Sequence, residues 1–271
     1  MSTLAAALDS ARARAKRHPT GALTDALVLT ARLLRQVLRV PEQIVFTIVQ
    51  PVLFVLLFRF VLGGAIDVGA VDYASFLMPA VFVQTVALGS ALTCSGVAED
   101  LHRGIVDRFR TLPMSHSALL VARTLADTVR NAFTLLVLAL VGIAIGFRPH
   151  GSWPAWALAA LLLLFVGYVF SWIGVLIALL VRSVEAAQSA GMTWVFPLIF
   201  LSSAFVPTRT MPGWLQAFSA HQPLTAIIDA VRALLLGLPA GSATSRALAW
   251  CAGILLAVVP PAVVRYRHRS S

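Results

Sequence analysis

The sequence predicts an all-α, polytopic membrane protein with six transmembrane helices, and three observations carry that expectation. Of 271 residues, 59% are hydrophobic and only 12% are charged, against about 25% charged in an ordinary soluble domain. The mean hydropathy is +0.88, more apolar surface than a soluble core can hide. The apolar residues also fall into six long runs, each near the ~20 residues a helix needs to cross the bilayer core. These runs are Ile44–Leu62, Tyr73–Val97, Asn131–Phe147, Trp153–Val181, Ala186–Val206 and Ala247–Val264.

Residues 1–40 read as a cytoplasmic N-terminal segment and 41–271 as the transmembrane domain, with an inner loop at 98–130 and an outer segment at 207–244. The basic patch Arg12 to Arg17 leads into a polar stretch and not an apolar one, unlike a signal peptide. Over 21–40, Arg32, Arg35 and Arg39 share one helical face while Leu23, Leu27, Leu34, Val37 and Leu38 spread over the other. That pattern suits an amphipathic helix on the membrane surface, or a plain extension of the first span, until Pro41 turns the chain. The third run has the least definite start, because Arg123, Asp127 and Arg130 extend its helical pattern downwards into the cytoplasm. Before the last span, Leu224, Ile227, Ile228, Val231, Leu234 and Leu235 form an apolar stripe with Asp229 and Arg232 at i, i+3. Two short helices in the outer leaflet fit this segment, with Trp214 as an interfacial anchor.

Short loops rich in Lys and Arg stay in the cytoplasm. With six spans, sixteen basic residues fall on the side of the termini and four on the other. Both termini are therefore expected inside, in the plasma membrane. The formal charge of +10 follows this topology and not a nucleic-acid-binding stripe.

Several chemistries have no residues to carry them. All six histidines lie outside the runs, there is no metal-ligand spacing, and Cys94 and Cys251 fall near opposite faces. No serine sits beside a base within a run, so a lipid-modifying enzyme lacks its nucleophile. No Gly-rich loop ends in Lys-Ser or Lys-Thr, so nucleotide binding within this chain is excluded. Few ionisable residues are expected at membrane depth, which disfavours a proton-driven carrier. Arg59 is the one charge placed clearly within a run, about 24 Å along it, and there it either snorkels to the outer interface or serves an outer gate.

The most informative stretch is E-D-L-H-R-G-I-V-D-R-F-R-T-L-P-M-S at 99–115. Leu101, Ile105, Phe109 and Leu112 recur at helical spacing among charges of both signs. Such a segment either docks in a groove on a soluble partner or is a solvated connector. With V-A-R-T-L-A-D at 121–127, V-L-L-F-R-F-V-L-G-G at 55–64 and the run M-P-G-W-L-Q-A-F-S-A-H-Q-P-L-T-A-I-I-D-A-V-R-A-L-L-L-G at 211–237, it resembles the type-2 ATP-binding-cassette exporter permeases, in particular the daunorubicin/doxorubicin-resistance permeases of actinobacteria. One departure is Gln222-Pro223, where many relatives have Asn-Pro.

The resemblance implies a permease subunit that moves a hydrophobic drug or lipid outwards, energised by a separate ATPase subunit that holds the ATP and magnesium. This chain would bind no cofactor, pair with a second permease copy or a relative, contact membrane lipid, and bind no nucleic acid. It implies a coupling helix in the inner loop, and position and chemistry there place the ATPase contact at Glu99, Leu101, Arg103, Arg108, Phe109, Arg110 and Leu112. Phe165, Trp194, Phe196 and Phe200 are candidates for an apolar pathway, or else pack among helices and lipid. Arg59, Asp229 and Arg232 are candidates for an outer gate. A secondary carrier or channel that works without an ATPase is the alternative.

Overall fold

A computed structural model describes residues 28–31, 33–35, 41–62, 72–103, 118–206, 208–239 and 241–269. Among the described residues every regular element is helical. Helix α1 (Pro41–Leu57) runs into a π-helical turn, Phe58–Leu62. It is followed by α2 (Tyr73–His102), α3 (Ala118–Ala144), α4 (Trp153–Leu180) and α5 (Val184–Phe200). A 3₁₀ turn at Thr208–Thr210 precedes α6 (Gly213–His221), α7 (Pro223–Leu236) and α8 (Ala243–Arg269).

Local chemistry sets several of these ends. Asp72 caps α2 by accepting from the Ala74 amide at 3.0 Å, and Ser183 caps α5 by accepting from Ala186 at 3.1 Å. Pro154 and Pro223 sit in the first turns of α4 and α7, where a missing amide proton costs nothing. Gly237 ends α7 in the left-handed conformation at φ 67°, which a side chain would resist.

Among the described residues four helices (α2, α3, α4 and α8) are long and apolar enough to cross a membrane, where the sequence led us to expect six spans. Helices α1 and α5 have 17 residues each, about 26 Å, short of the ~30 Å hydrocarbon core. Helix α5 stops at Phe200 and not Val206 because the chain turns there, with the Ser202 hydroxyl bonded back to the Ile199 carbonyl at 2.6 Å.

The third run also differs. Helix α3 begins at Ala118, well before the expected Asn131, and ends at Ala144. Its early charged turns are not a solvated extension: Asp127 is 3% exposed and Asn131 4%. Arg123, Asp127 and Arg130, which the sequence reading placed in a cytoplasmic extension of the third run, find partners inside the bundle.

Helix α2 is the centre, buried along nearly its whole length. It packs most extensively on α4 and α5, and glycines permit the approach. A Cβ on Gly174 of α4 would stand 2.3 Å from the Ser90 carbonyl oxygen, and one on Gly191 of α5 would stand 3.0 Å from the Ala91 Cα. In helix α7, Leu224, Ile227, Ile228 and Val231 are almost fully buried against α2, α4 and α8. Helix α6 exposes Trp214 and Phe218 instead.

At the end of the bundle where α2 finishes and α3 begins, a second apolar cluster joins Leu120, Ala122, Trp172, Leu179, Ala262 and Tyr266. Residues 28–31 and 33–35 are helical and dock there through Leu29 and Leu33, with the Thr30 hydroxyl donating to the Ala122 carbonyl at 3.2 Å. The described part of the N-terminal helix is thus held by the bundle on one face.

The α2–α4 contact yields a direct test. Replacing Gly174 with alanine should cost about 1–3 kcal/mol through overpacking, read as a lower unfolding temperature of the detergent-solubilised protein. Gly253→Ala on α8, with nothing within 4 Å of the added Cβ, should not lower that temperature, since alanine favours the helix over glycine.

Candidate functional site

Three polar assemblies lie along α2, at its two ends and near its middle. At the end that carries stretch 104–117, the base of the loop is closed by an ion pair. Arg123 Nη1 donates to Asp100 Oδ2 at 2.7 Å, with each side chain 20% exposed. The guanidinium lies over Gly96, where a Cβ would stand 1.6 Å from Nη2. Glu99 and Arg103 pair along the helix and both are exposed. Leu101 packs against the second apolar cluster, and His102 Nε2 lies 2.8 Å from the Arg182 carbonyl oxygen between α4 and α5. Of the residues expected to contact an ATPase, Glu99, Leu101 and Arg103 are therefore gathered at this end. Arg108, Phe109, Arg110 and Leu112 lie outside the described residues.

One to three turns further in, α3 presents a buried polar group to α2 and α4. The Thr93 hydroxyl donates to Asp127 Oδ2 at 2.5 Å and lies 3.4 Å from Ser171 Oγ of α4. Asp127 Oδ1 ion-pairs with Arg130 Nη2 at 3.0 Å. Asn131 fits between two glycines: a Cβ on Gly89 would stand 3.0 Å from its Oδ1, and one on Gly167 would stand 2.8 Å from its Nδ2. Arg130 Nε and Asn131 Nδ2 are buried without a hydrogen bond among the described residues. The sequence reading missed this group because it placed Arg123, Asp127 and Arg130 in a cytoplasmic extension of the third run. A signal was present: Gly89, Thr93, Gly96 and Asp100 recur every three or four residues on α2, as Arg123, Asp127, Asn131 and Thr134 do on α3.

At the far end, Arg232 of α7 ties three elements. Its Nη1 donates to Asp229 at 3.1 Å, and its Nη2 donates to the carbonyls of Ser203 at 3.1 Å and Phe76 at 3.3 Å. The guanidinium carbon also lies 4.0 Å from the Phe76 ring centre. Ser203 Oγ donates to Asp229 Oδ1 at 3.0 Å, so the turn after α5 is fixed to α7 from both partners. Arg59, in the π-helical turn, pairs separately with the α2 cap Asp72 at 3.2 Å. Two of the three expected gate residues thus meet each other, and the third joins them only through the first turn of α2.

The four expected pathway aromatics do not form one surface. Phe165 is half-buried against the core. Trp194 packs edge-on to Phe170 at 5.5 Å. Phe196 and Phe200 stack at 6.0 Å on the exposed side of α5. Phe200 continues into a half-open group of rings with Phe205, Phe58 and Phe54.

Residues 24–236 match the family model described as ABC-2 type transporter. The chain is 31% identical over 231 residues to the daunorubicin resistance ABC transporter permease protein of Streptomyces coeruleorubidus, covering 85% of this chain and 82% of that one. It is 33% identical over 263 residues to a probable doxorubicin resistance ABC transporter permease protein of Mycobacterium tuberculosis, covering 92% and 90%. A second doxorubicin resistance permease of that organism is 28% identical over 173 residues, covering 64% and 60%. Matched by the family model over most of its length, and by permease subunits over nearly all of it, the chain belongs to the ABC-2 type transporter family and is a multi-pass membrane permease.

Proposed function

We propose that this permease is the transmembrane half of an ATP-driven exporter that moves a hydrophobic drug or lipid out of the cytoplasm or inner leaflet. The single observation that carries the reading is the near full-length similarity to drug-resistance permeases. In this reading the chain crosses the plasma membrane six times, with both termini cytoplasmic. Helix α1 with its π-helical turn, and α5 with the turn after it, make the two short crossings. Residues 1–40 form the cytoplasmic N-terminal segment, and 98–130 the inner loop that meets the ATPase. ATP and magnesium belong to that partner, and a second permease completes the pathway.

The loop end suits force transfer. Asp100 and Arg123 close the base of the loop, and the His102–Arg182 contact passes any displacement to the start of α5. The exposed aromatic side of α5, Phe196 and Phe200, offers a hydrophobic substrate a surface without charge. Arg232 and Asp229 would close the far end, and Arg59 would steady the first turn of α2 beside them. A proton-driven carrier loses less ground than the sequence suggested, since a buried carboxylate, Asp127, does exist. That carboxylate is already paired with Arg130 and Thr93, so it offers no open proton site.

Co-purification in detergent with candidate ATPase subunits tests the reading. Wild type should retain an ATPase, while Phe109→Ala and the Arg108→Glu/Arg110→Glu double variant should lose it yet stay monodisperse. Failure of wild type to retain any ATPase would favour the independent carrier. The gate assignment has its own test. Arg232→Lys keeps a charge but cannot reach Asp229, two carbonyls and a ring together. It should lower transport about tenfold, the kinetic equivalent of one such contact, with ATPase retention unchanged.

A further inference from the structure

We infer that the polar contacts between α2 and α3 form a transmission element that locks the two helices in one register, so that displacement at the inner loop arrives undiminished at the middle of the bundle. The inference rests on the reading of the chain as a permease driven by an ATPase at that loop.

The contacts form a ladder. Asp100 meets Arg123, and the Arg123 guanidinium covers Gly96. Thr93 meets Asp127, itself paired with Arg130. Asn131 meets Gly89. The rungs follow one another by about one turn on each of two antiparallel helices, from residue 100 to 89 on α2 and from 123 to 131 on α3. They cover roughly 16 Å of α2. The innermost rung also touches α4, through Gly167 and through Ser171.

Holding helices together does not require such a ladder. Well-packed apolar side chains in place of a buried ion pair are often as stabilising or more so. Polar rungs supply register instead. An apolar face can slide past another because each side chain leaves one contact for a similar one. Here a slide of one turn, about 5.4 Å, would set the Asp127 carboxylate against Gly96 or Gly89 and leave it without its hydroxyl donor. Arg130, on the same helix, would move with it, but losing a hydroxyl donor to a buried carboxylate is costly where no water can replace it. The glycines add a second constraint, since Arg123 and Asn131 occupy space that only a residue without Cβ provides. Helices α2 and α3 can therefore tilt as a pair but not slip, and the inner loop joins their ends.

Spin-label distances on the permease–ATPase complex test this. Labels at Leu92→Cys on α2 and Leu140→Cys on α3, both exposed sites, are introduced with Cys94 and Cys251 replaced by alanine. A second pair, Leu92→Cys with Leu53→Cys on α1, reports movement elsewhere. Between nucleotide-free and vanadate-trapped states the α2–α3 distance should stay fixed while the α2–α1 distance shifts. Thr93→Val should broaden the α2–α3 distribution and lower substrate transported per ATP about tenfold. Thr193→Val, which removes a hydroxyl bonded only within α5, should change neither. Where Thr93→Val does not fold, Asp100→Ala serves, since it removes the half-buried Asp100–Arg123 rung between α2 and α3. A parent α2–α3 distance that changes with nucleotide would overturn the inference, as would a variant with an unbroadened distribution and full coupling. Failure of the exporter reading appears separately, as no ATPase in the preparation, and the nucleotide-free distributions of parent and variant still decide whether the register is locked.

Discussion

Helix α2 can sit at the centre of this bundle only because its neighbours give up side chains where they cross it. Gly174 of α4 lies against the Ser90 carbonyl and Gly191 of α5 against the Ala91 backbone. Without a hydrophobic drive between helices in lipid, close backbone approach of this kind is a main source of association. Enclosure has a consequence for the hydroxyls in the middle of α2: they find their partners inside the protein. Ser90 and Ser95 return to their own helix, bonding the carbonyls of Ala87 and Ala91. Thr93 reaches across to Asp127 as well as back to Gly89. The buried charge on α3 and the glycine contacts on α4 are therefore two sides of one packing solution.

The arginines follow from the same constraint. The chain has a single lysine, Lys16, and twenty arginines. Arg232 shows what a guanidinium offers in such a setting: one planar group meets a carboxylate, two carbonyls and an aromatic face. An ammonium has no comparable fork. Arg123 uses the flatness differently, lying over Gly96 to reach Asp100. Removing the acid partner of such a pair leaves a charge with nowhere to go, so these pairs are costly to break even when they add little net stability.

Much of the fold was legible. The second and fourth runs, expected at Tyr73–Val97 and Trp153–Val181, became helices Tyr73–His102 and Trp153–Leu180. Their apolar character is unbroken, so hydropathy alone fixes them. The stripe of α7 and the Asp229–Arg232 pair were also readable, because both depend only on spacing within one helix. What could not be read was anything requiring a second helix. Whether Asp127 faces water or Thr93 depends on where α2 lies, and no window of sequence reports that. The burial of α7 is similar: a strong apolar stripe with an adjacent Trp fits both an interfacial helix and a packed one. The end of α5 at Phe200 came from a local turn at Ser202 that hydropathy, continuing apolar to Val206, conceals.

The two ends of α2 are held by different means, and the difference bears on how the bundle can move. At the loop end Asp100 is tied to Arg123 across one loop through side chains, and His102 reaches the Arg182 carbonyl between α4 and α5. At the far end Asp72 is tied across one loop to Arg59, and Phe76 is tied to Arg232 of α7, in a distant part of the chain. The Arg232 contacts to Ser203 and Phe76 are to backbone carbonyls, which stay in place when side chains change. Opening the far end therefore means drawing α7 away from α2 as a unit. Helix α7 is itself short, fixed by Gly237 at its end and by the Gly151 amide bonding the Leu235 carbonyl at 3.0 Å. Because its apolar stripe is packed on α2, α4 and α8, such a movement has to uncover that stripe as well as break the Arg232 hub.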